Sequence, residues 1–335
     1  MGGETDHVKG AVLPAADSES IRLAGRIVRT GGIVAFPTET VYGLGCDAMN
    51  ADAAAKVFEA KQRPQFDPLI VHIADPKQLD VVIGSLPVLG QRLMDAFWPG
   101  PLTLVFPKQR AIPDLVTAGL STVAVRMPDH SVAQAFIREA GTPIAAPSAN
   151  PFGYVSPTTA QHVADGLGSK ADLILDGGAC TVGVESTIVS LAGLQPEILR
   201  PGSITIEQLS AVIGSIRRSS PVNQTPIAPG QLARHYATRT PLTILASVGA
   251  RPVVKDGEHA GLLIHSQASD ADDRFAAVEV LSSTGDLREA ARHLFAALRR
   301  LDSLSLDRIY VEPCKEEGLG LAIMDRLRRC AAPRQ

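Results

Sequence analysis

A chain of 335 residues in which 45% of side chains are hydrophobic exceeds one typical domain and can fill sizeable cores, so two domains are expected. The formal net charge of −3 lacks the basic excess of a general nucleic-acid binder, and no apolar run approaches the roughly 20 residues that a membrane helix needs. The four cysteines, Cys46, Cys180, Cys314 and Cys330, lack the short Cys/His spacing of a zinc site and the pattern of a secreted disulfide framework; they read as ordinary thiols, with Cys46 near a site.

Residues 1–17 are too polar to hold the apolar centre of a signal peptide, so a cytoplasmic location without a membrane partner is expected. After Asp17 and Ser18, the apolar positions Ile21, Leu23, Ala24, Ile27 and Val28 recur at helical spacing, and Gly31 and Gly32 supply the stop. A strand at 33–36 follows and runs into Pro37-Thr38-Glu39-Thr40-Val41-Tyr42-Gly43-Leu44-Gly45. Hydroxyls and glycines beyond a strand's carboxyl end suit ligand contact better than core packing. A short helix then delivers Lys61-Gln62-Arg63-Pro64 to what reads as an exposed helix end. Further strands are predicted at 69–73, 102–106, 122–127, 144–146, 173–175 and 187–191. The sheet should be mixed, since no clear helix separates 102–106 from 122–127. Prolines, glycines and Arg217-Arg218 make 216–241 a linker. A smaller α/β unit follows, with strands at 242–245, 261–265, 277–281 and 308–311 and helices at 287–301 and 319–330. The expected division is 15–215, 216–241 and 242–332.

Two familiar nucleotide sites are missing: there is no Gly-x-x-x-x-Gly-Lys-Ser/Thr loop, and Gly43-Leu44-Gly45 lacks the third glycine of a dinucleotide fingerprint. The remaining candidates cluster at strand ends: Lys61 and Arg63, Thr122 and Arg126, Ser148 and Asn150, Ser156, Glu185-Ser186-Thr187, and Arg200. Each also has an ordinary structural reading. Lys61 and Arg63 could serve the helix dipole, Ser148 and Asn150 a turn, and Ser156 a helix N-cap. His72 could be a half-buried strand histidine, and Arg126 could face solvent or pair with an acid.

As a set, Pro37-Thr38-Glu39-Thr40-Val41-Tyr42-Gly43-Leu44, Lys61-x-Arg63-Pro64, Pro68-Leu69-Ile70-Val71-His72, Phe97-Trp98-Pro99-Gly100-Pro101-Leu102-Thr103, Ser148-x-Asn150 and Glu185-Ser186-Thr187 closely resemble the YrdC-like family of threonylcarbamoyl-AMP synthases. Pro229-Gly230, His235-Tyr236-Ala237 and Asp325-Arg326-Leu327 resemble its two-domain form. The resemblance implies a YrdC-like twisted mixed sheet with flanking helices, followed by a smaller Rossmann-like α/β domain. It implies a nucleotidyltransferase that makes threonylcarbamoyl-AMP and pyrophosphate from L-threonine, bicarbonate and ATP with Mg2+. The product would serve the downstream tRNA threonylcarbamoyl transferase machinery, with a weak contact to tRNA itself. By matched position, Lys61 and Arg63 are the catalytic residues. Together with Thr122, Ser148, Asn150, Ser156, Arg200 and Tyr236 they would bind ATP, while Thr40, His72, Arg126, Ala146 and Ser186 would bind threonine.

The chain departs from the family pattern at Gln62, where glycine is frequent, and at Asp67, where asparagine is frequent. A carboxylate repels phosphate, so no direct hydrogen bond from Asp67 to ATP is expected. Ala228 and Thr238 replace a frequent serine and proline in the linker. Two other readings stand beside the synthase: a related carbamoyltransferase, disfavoured by the lack of paired Cys motifs, and a non-catalytic RNA-binding protein, disfavoured by the weak net charge.

Overall fold

The computed structural model describes residues 9–219, 226–250, 252–255, 257–266 and 273–333; residues 220–225 of the expected linker lie outside the described residues. An opening strand, β1 (Ala11–Pro14), leads to Asp17, whose carboxylate accepts the Glu19 N–H and caps α1 (Ser18–Arg29). Leu23, Ala24 and Val28 form the buried stripe of that helix, and Gly31, at φ +79°, turns the chain into β2 (Val34–Phe36).

The first part continues through β3 (Gly43–Asp47), α2 (Ala51–Lys61), β4 (Ile70–His72), α3 (Leu79–Val82), α4 (Val88–Phe97), β5 (Leu102–Pro107), β6 (Thr122–Arg126), α5 (Ser131–Ala140) and β7 (Ile144–Ala146). It ends with α6 (Ala160–Gly166), β8 (Leu173–Asp176), β9 (Thr187–Ser190), β10 (Glu197–Arg200), α7 (Ile206–Ile213) and β11 (Arg217–Arg218). These strands make one mixed sheet in the order β1-β8-β2-β3-β7-β4-β6-β5-β9-β10-β11. As expected, β5 and β6 pair antiparallel, with Thr103 opposite Arg126. Beyond the linker come β12 (Leu242–Ile244), β13 (Ala260–Ser266), β14 (Ala277–Ser282), α8 (Leu287–Asp302), β15 (Arg308–Val311) and α9 (Gly320–Ala331). Their sheet, β12-β15-β13-β14, is parallel throughout.

Every predicted strand is present to within one residue at either end. Four further strands are β1, β3, β10 and β11. Gly43-Leu44-Gly45, read from sequence as suited to ligand contact beyond a strand end, belong to β3, an internal strand between β2 and β7. Gly45 serves packing there, since a Cβ on it would lie 2.6 Å from Ile144 Cγ2. Strand β1 pairs with β8, so the first sheet begins before residue 15, and Arg217 and Arg218 pair in parallel with Glu197 and Ile198 instead of starting an irregular linker.

The second sheet does not stand apart from the first. Val41, Val155 and Val184 share a buried cluster with Tyr236 of the linker and with Leu294, Phe295 and Leu298 of α8. Among the described residues, no helix is long and apolar enough to cross a membrane.

Candidate active site

Parallel pairing of β4 with β6 sets His72 beside Arg126, and antiparallel pairing of β5 with β6 sets Thr103 on the other side of Arg126. The carboxyl ends of β4, β6 and β10 therefore lie beside the amino ends of β5 and β9, while antiparallel pairing of β4 with β7 sets Ala146 opposite Ile70, so that Ile70, His72, Arg126 and Ala146 share one face of the sheet. Thr40, His72, Arg126, Ala146, Ser148, Ser186 and Arg200 line a single cavity there, with Arg63, Glu185, Pro229, Gly230, His235 and Tyr236. All five residues assigned to threonine are in this lining. A larger groove of about 890 Å3 beside Leu79, Leu86 and Trp98 lacks such a convergence of buried charged groups.

Arg126 is the electrostatic centre of the threonine set. Its Nη1 donates to Thr40 Oγ1 at 2.8 Å and its Nε to Gly100 O at 3.3 Å, while Nη2 lies 2.6 Å from Glu39 Oε1. The arginine both faces the cavity and pairs with an acid. The Nη2 contact is not aligned as a hydrogen bond, which leaves that edge of the guanidinium with an unused donor. His72 is fully enclosed, its Nδ1 3.1 Å from Ile70 O and its ring edge-on to Phe36 at 5.8 Å. Burial, reinforced by the Arg126 charge, pushes its pKa down to about 3, so the imidazole is neutral. Ser186 Oγ is 2.7 Å from Thr103 Oγ1.

Lys61 and Arg63 correct the expectation of an exposed helix end, because they are only 2% and 6% exposed. They do not serve the dipole of α2 either. Lys61 Nζ donates to Ser148 O at 2.6 Å and to Asn150 O, and Arg63 donates to Asp67 O and Pro68 O. Gln62 ends the helix in the left-handed conformation at φ +54°, which explains why glycine suits that position. The Asp67 carboxylate is fully buried 2.8 Å from the Arg63 Nη2, so its charge is answered within the protein. Burial, and then the neighbouring Arg63 charge, push the Lys61 pKa well below its ordinary value.

Asn150 holds a turn by donating to Pro151 O and Tyr154 O, yet its buried Oδ1 has no partner. Thr159, not Ser156, caps α6, which corrects the N-cap reading; the buried Ser156 hydroxyl donates to Glu185 Oε1 at 2.5 Å. Neither Asn150 nor Ser156 lines the cavity, and Lys61 stands behind it. Thr122 lies at the far end of β6, on the face shared with Ala124 and Arg126, roughly 13 Å from the latter at strand rise. Cys46 is buried in the core under β3 with its thiol toward Ala145 O, away from the cavity, and all four cysteines are free thiols.

The linker roofs the cavity. Ala228 packs on Ile70, Ala124 and Ile188, and Tyr236, at φ +62° and 1% exposed, stacks on Phe295 with its hydroxyl unpartnered. Gly230 is required where it stands: its φ is +81°, and a Cβ there would lie 2.6 Å from the Tyr236 oxygen. The enclosed space is about 50 Å3, far below the roughly 300–1,000 Å3 of ligand pockets for larger molecules. Glu39, Glu185 and Arg326 complete the polar network. Sequence alone assigned them no separate role, although all three sit inside motifs that carry the family resemblance.

Residues 26–202 match a family model described as "Telomere recombination", and residues 204–332 match one described as "Threonylcarbamoyl-AMP synthase, C-terminal domain". A threonylcarbamoyl-AMP synthase of Pyrococcus abyssi is 44% identical over 94% of both chains, and one of Bacillus subtilis is 44% identical over 96% of this chain and 95% of its own. The crystal structure of P. abyssi Sua5 complexed with L-threonine superposes with a TM-score of 0.89 at 40% identity, covering 96% of this chain and 97% of that one. With both domain matches in order and near-complete coverage, the chain belongs to the threonylcarbamoyl-AMP synthase family in its two-domain form.

Proposed function

We propose that this protein is an L-threonylcarbamoyladenylate synthase that converts L-threonine, bicarbonate and ATP to threonylcarbamoyl-AMP, pyrophosphate and water. The observation that carries this reading is the convergence of Thr40, His72, Arg126 and Ser186 on one cavity beneath Tyr236, with Arg200 joining Ser186 to the wall where ATP would enter. Arg126 would take the threonine carboxylate on its unused donor edge, with Thr40 and Ser186 reading the hydroxyl and amine ends. Addition of the amine to bicarbonate, with loss of water, gives a carbamate. One of its oxygens then attacks the α-phosphorus of ATP, and pyrophosphate leaves. Such a reaction depends on positioning and on neutralising phosphate charge.

In this reading ATP lies along the sheet face from Arg126 toward Thr122, where Ala228 now packs, with Arg63, Ser148 and Arg200 toward its phosphates. Lys61 and Asn150 shape the Ser148 wall, and Ser156 acts through Glu185. Phosphate in the cavity would favour the charged form of the buried Lys61, opposing the burial that lowers its pKa. Residues 216–241 would serve as a lid between a catalytic unit at 15–215, extended by β1, and a small unit at 242–332. The lid would lift for ATP and close to keep water from the carbamate and mixed anhydride. Mg2+ would arrive on the ATP phosphates. Glu39, Asp67 and Glu185 are each paired with an arginine, and among the described residues no group of three His, Cys, Asp or Glu side chains could hold a metal, so the protein offers no ready cage of its own. The product would pass to tRNA threonylcarbamoyl transferases in the cytoplasm.

Incubation with ATP, threonine and bicarbonate tests the assignment. Threonine-dependent pyrophosphate release is expected. RNA retention without that release would favour a binding protein, and threonine-independent release a different carbamoyl transfer.

A further inference from the structure

Arg326 is an arginine of α9 with none of its side chain exposed, placed beneath the active-site wall and not within its own sheet's core. Its Nε donates to Glu185 Oε2 at 2.9 Å. Its Nη1 donates to Pro201 O and to Asp325 Oδ2, each at 2.8 Å. Its guanidinium carbon lies 5.3 Å from the centre of the Tyr236 ring. Glu185 precedes Ser186 and Pro201 follows Arg200, so one guanidinium grips both segments whose next residues face the cavity.

Those two residues are themselves joined, because Arg200 donates to the Ser186 carbonyl and hydroxyl. The grip and the joint form a closed loop: Arg326 to Glu185, along the chain to Ser186, across to Arg200, along the chain to Pro201, and back to Arg326. Glu185 carries the loop further through the Ser156 hydroxyl. A lysine could replace the charge but not the three directed contacts of the planar fork. Burying an arginine at this depth is costly unless each partner is in place, so its geometry depends on the docked arrangement of the two domains.

The docking is itself specific. A Cβ on Gly183, two residues before Glu185, would lie 2.3 Å from the Arg292 Cα of α8, and Arg299 of α8 donates to the carbonyls of Val155 and Ser156. Helix α8 of the second domain thus presses on both loops that lead to the Glu185 carboxylate.

We propose that Arg326 is a positioning residue contributed to the active site by the C-terminal domain, setting Ser186 and Arg200 through Glu185 and Pro201 and steadying Tyr236. The inference rests on the synthase reading and gives the second domain a part in it. Catalysis then requires α9 in register, not only a linker that closes.

The test uses the full-length protein. Threonine affinity is measured by calorimetry without ATP, turnover by pyrophosphate release, and folding by thermal melting, for wild type, Arg326→Lys, Glu185→Gln and the double variant. Arg326→Lys is expected to melt below wild type, because buried partners are left unmet, and, per folded molecule, to bind threonine at least tenfold more weakly and to lose at least tenfold in kcat/KM. Glu185→Gln should do the same, and the double variant should be little worse than either alone, because both break one loop. If Arg326→Lys does not fold, Glu185→Gln carries the test. Threonine affinity and kcat/KM within twofold of wild type in a folded single variant, or fully additive losses in the double variant, would overturn the inference. A wild-type protein that releases no pyrophosphate with threonine would overturn the synthase reading and this inference together.

Discussion

The Arg200 Nη2 lies 2.9 Å from the Ser186 carbonyl oxygen and 3.1 Å from its Oγ, and the Arg200 Nε lies 3.1 Å from the same carbonyl. A residue assigned to ATP and a residue assigned to threonine are therefore one mechanical unit. Arg200→Lys should raise the Michaelis constants of both substrates about tenfold, since losing one charge-assisted contact costs about 1.5–3 kcal/mol. Separate titrations of ATP and threonine check this. A change confined to ATP would separate the two residues.

Arg126→Lys should behave differently. It keeps a charge beside Glu39 but loses the planar donor pair, so threonine should weaken much more than ATP. Steady-state constants measured for each substrate decide the matter, and equal losses would reassign Arg126.

Lys61→Ala and Arg63→Ala should each reduce adenylate formation by roughly tenfold to a hundredfold. Because both side chains are buried and satisfy carbonyls, each variant should also be less stable, by about 1–3 kcal/mol. Turnover per folded molecule is the quantity to compare, with the folded fraction taken from circular dichroism. Near-normal values would make both residues purely structural.

Tyr236 separates lid chemistry from packing. Tyr236→Ala removes a ring stacked on Phe295 and should cost about 3–5 kcal/mol of stability. Tyr236→Phe removes only an unpartnered hydroxyl, so it should melt no lower than wild type while turning over more slowly. Wild-type turnover in Tyr236→Phe would deny the hydroxyl a role. Full activity of a chain truncated after Arg217 would deny the lid.

His72 makes a pH prediction with a defined sign. Its folded pKa is pushed down to about 3 from 6.5, so the folded state stays neutral while the unfolded chain takes up a proton below about pH 6.5. Stability should hold above that pH and fall as pH drops toward 3, by at most about 1.4 kcal/mol per pH unit from this group. His235 is shifted in the same direction by burial. Denaturant melts at pH 7, 6 and 5 should show a shallower slope for His72→Gln, and an unchanged slope would place the acid sensitivity elsewhere.

Strand positions were readable in the sequence wherever an apolar run stood between glycine or proline stops, as at 102–106 and 144–146, because such patterns depend only on near neighbours. Strand β3 was not readable. Gly43-Leu44-Gly45 has the composition of a turn, and only pairing with β2 and β7 across the sheet makes it a strand. The family and its ordered motifs were likewise legible, and with them the five residues assigned to threonine, which line one cavity.

The sequence by itself thus determined which side chains are available and in what order they arrive. It could not determine their burial or their partners. Nothing local to Lys61-Gln62-Arg63-Pro64 says that both cations are enclosed, since the carbonyls of Ser148 and Asn150 that hold Lys61 come from a loop beyond another strand. The same holds for Glu39 with Arg126 and for Glu185 with Arg326, pairs separated by 87 and 141 residues. Charge pairing at such separation follows from sheet order and domain docking, in which a buried ion must meet its counter-ion wherever the fold has put it. Only the tertiary structure decided that an arginine near the end of the chain stands behind the site built at its beginning.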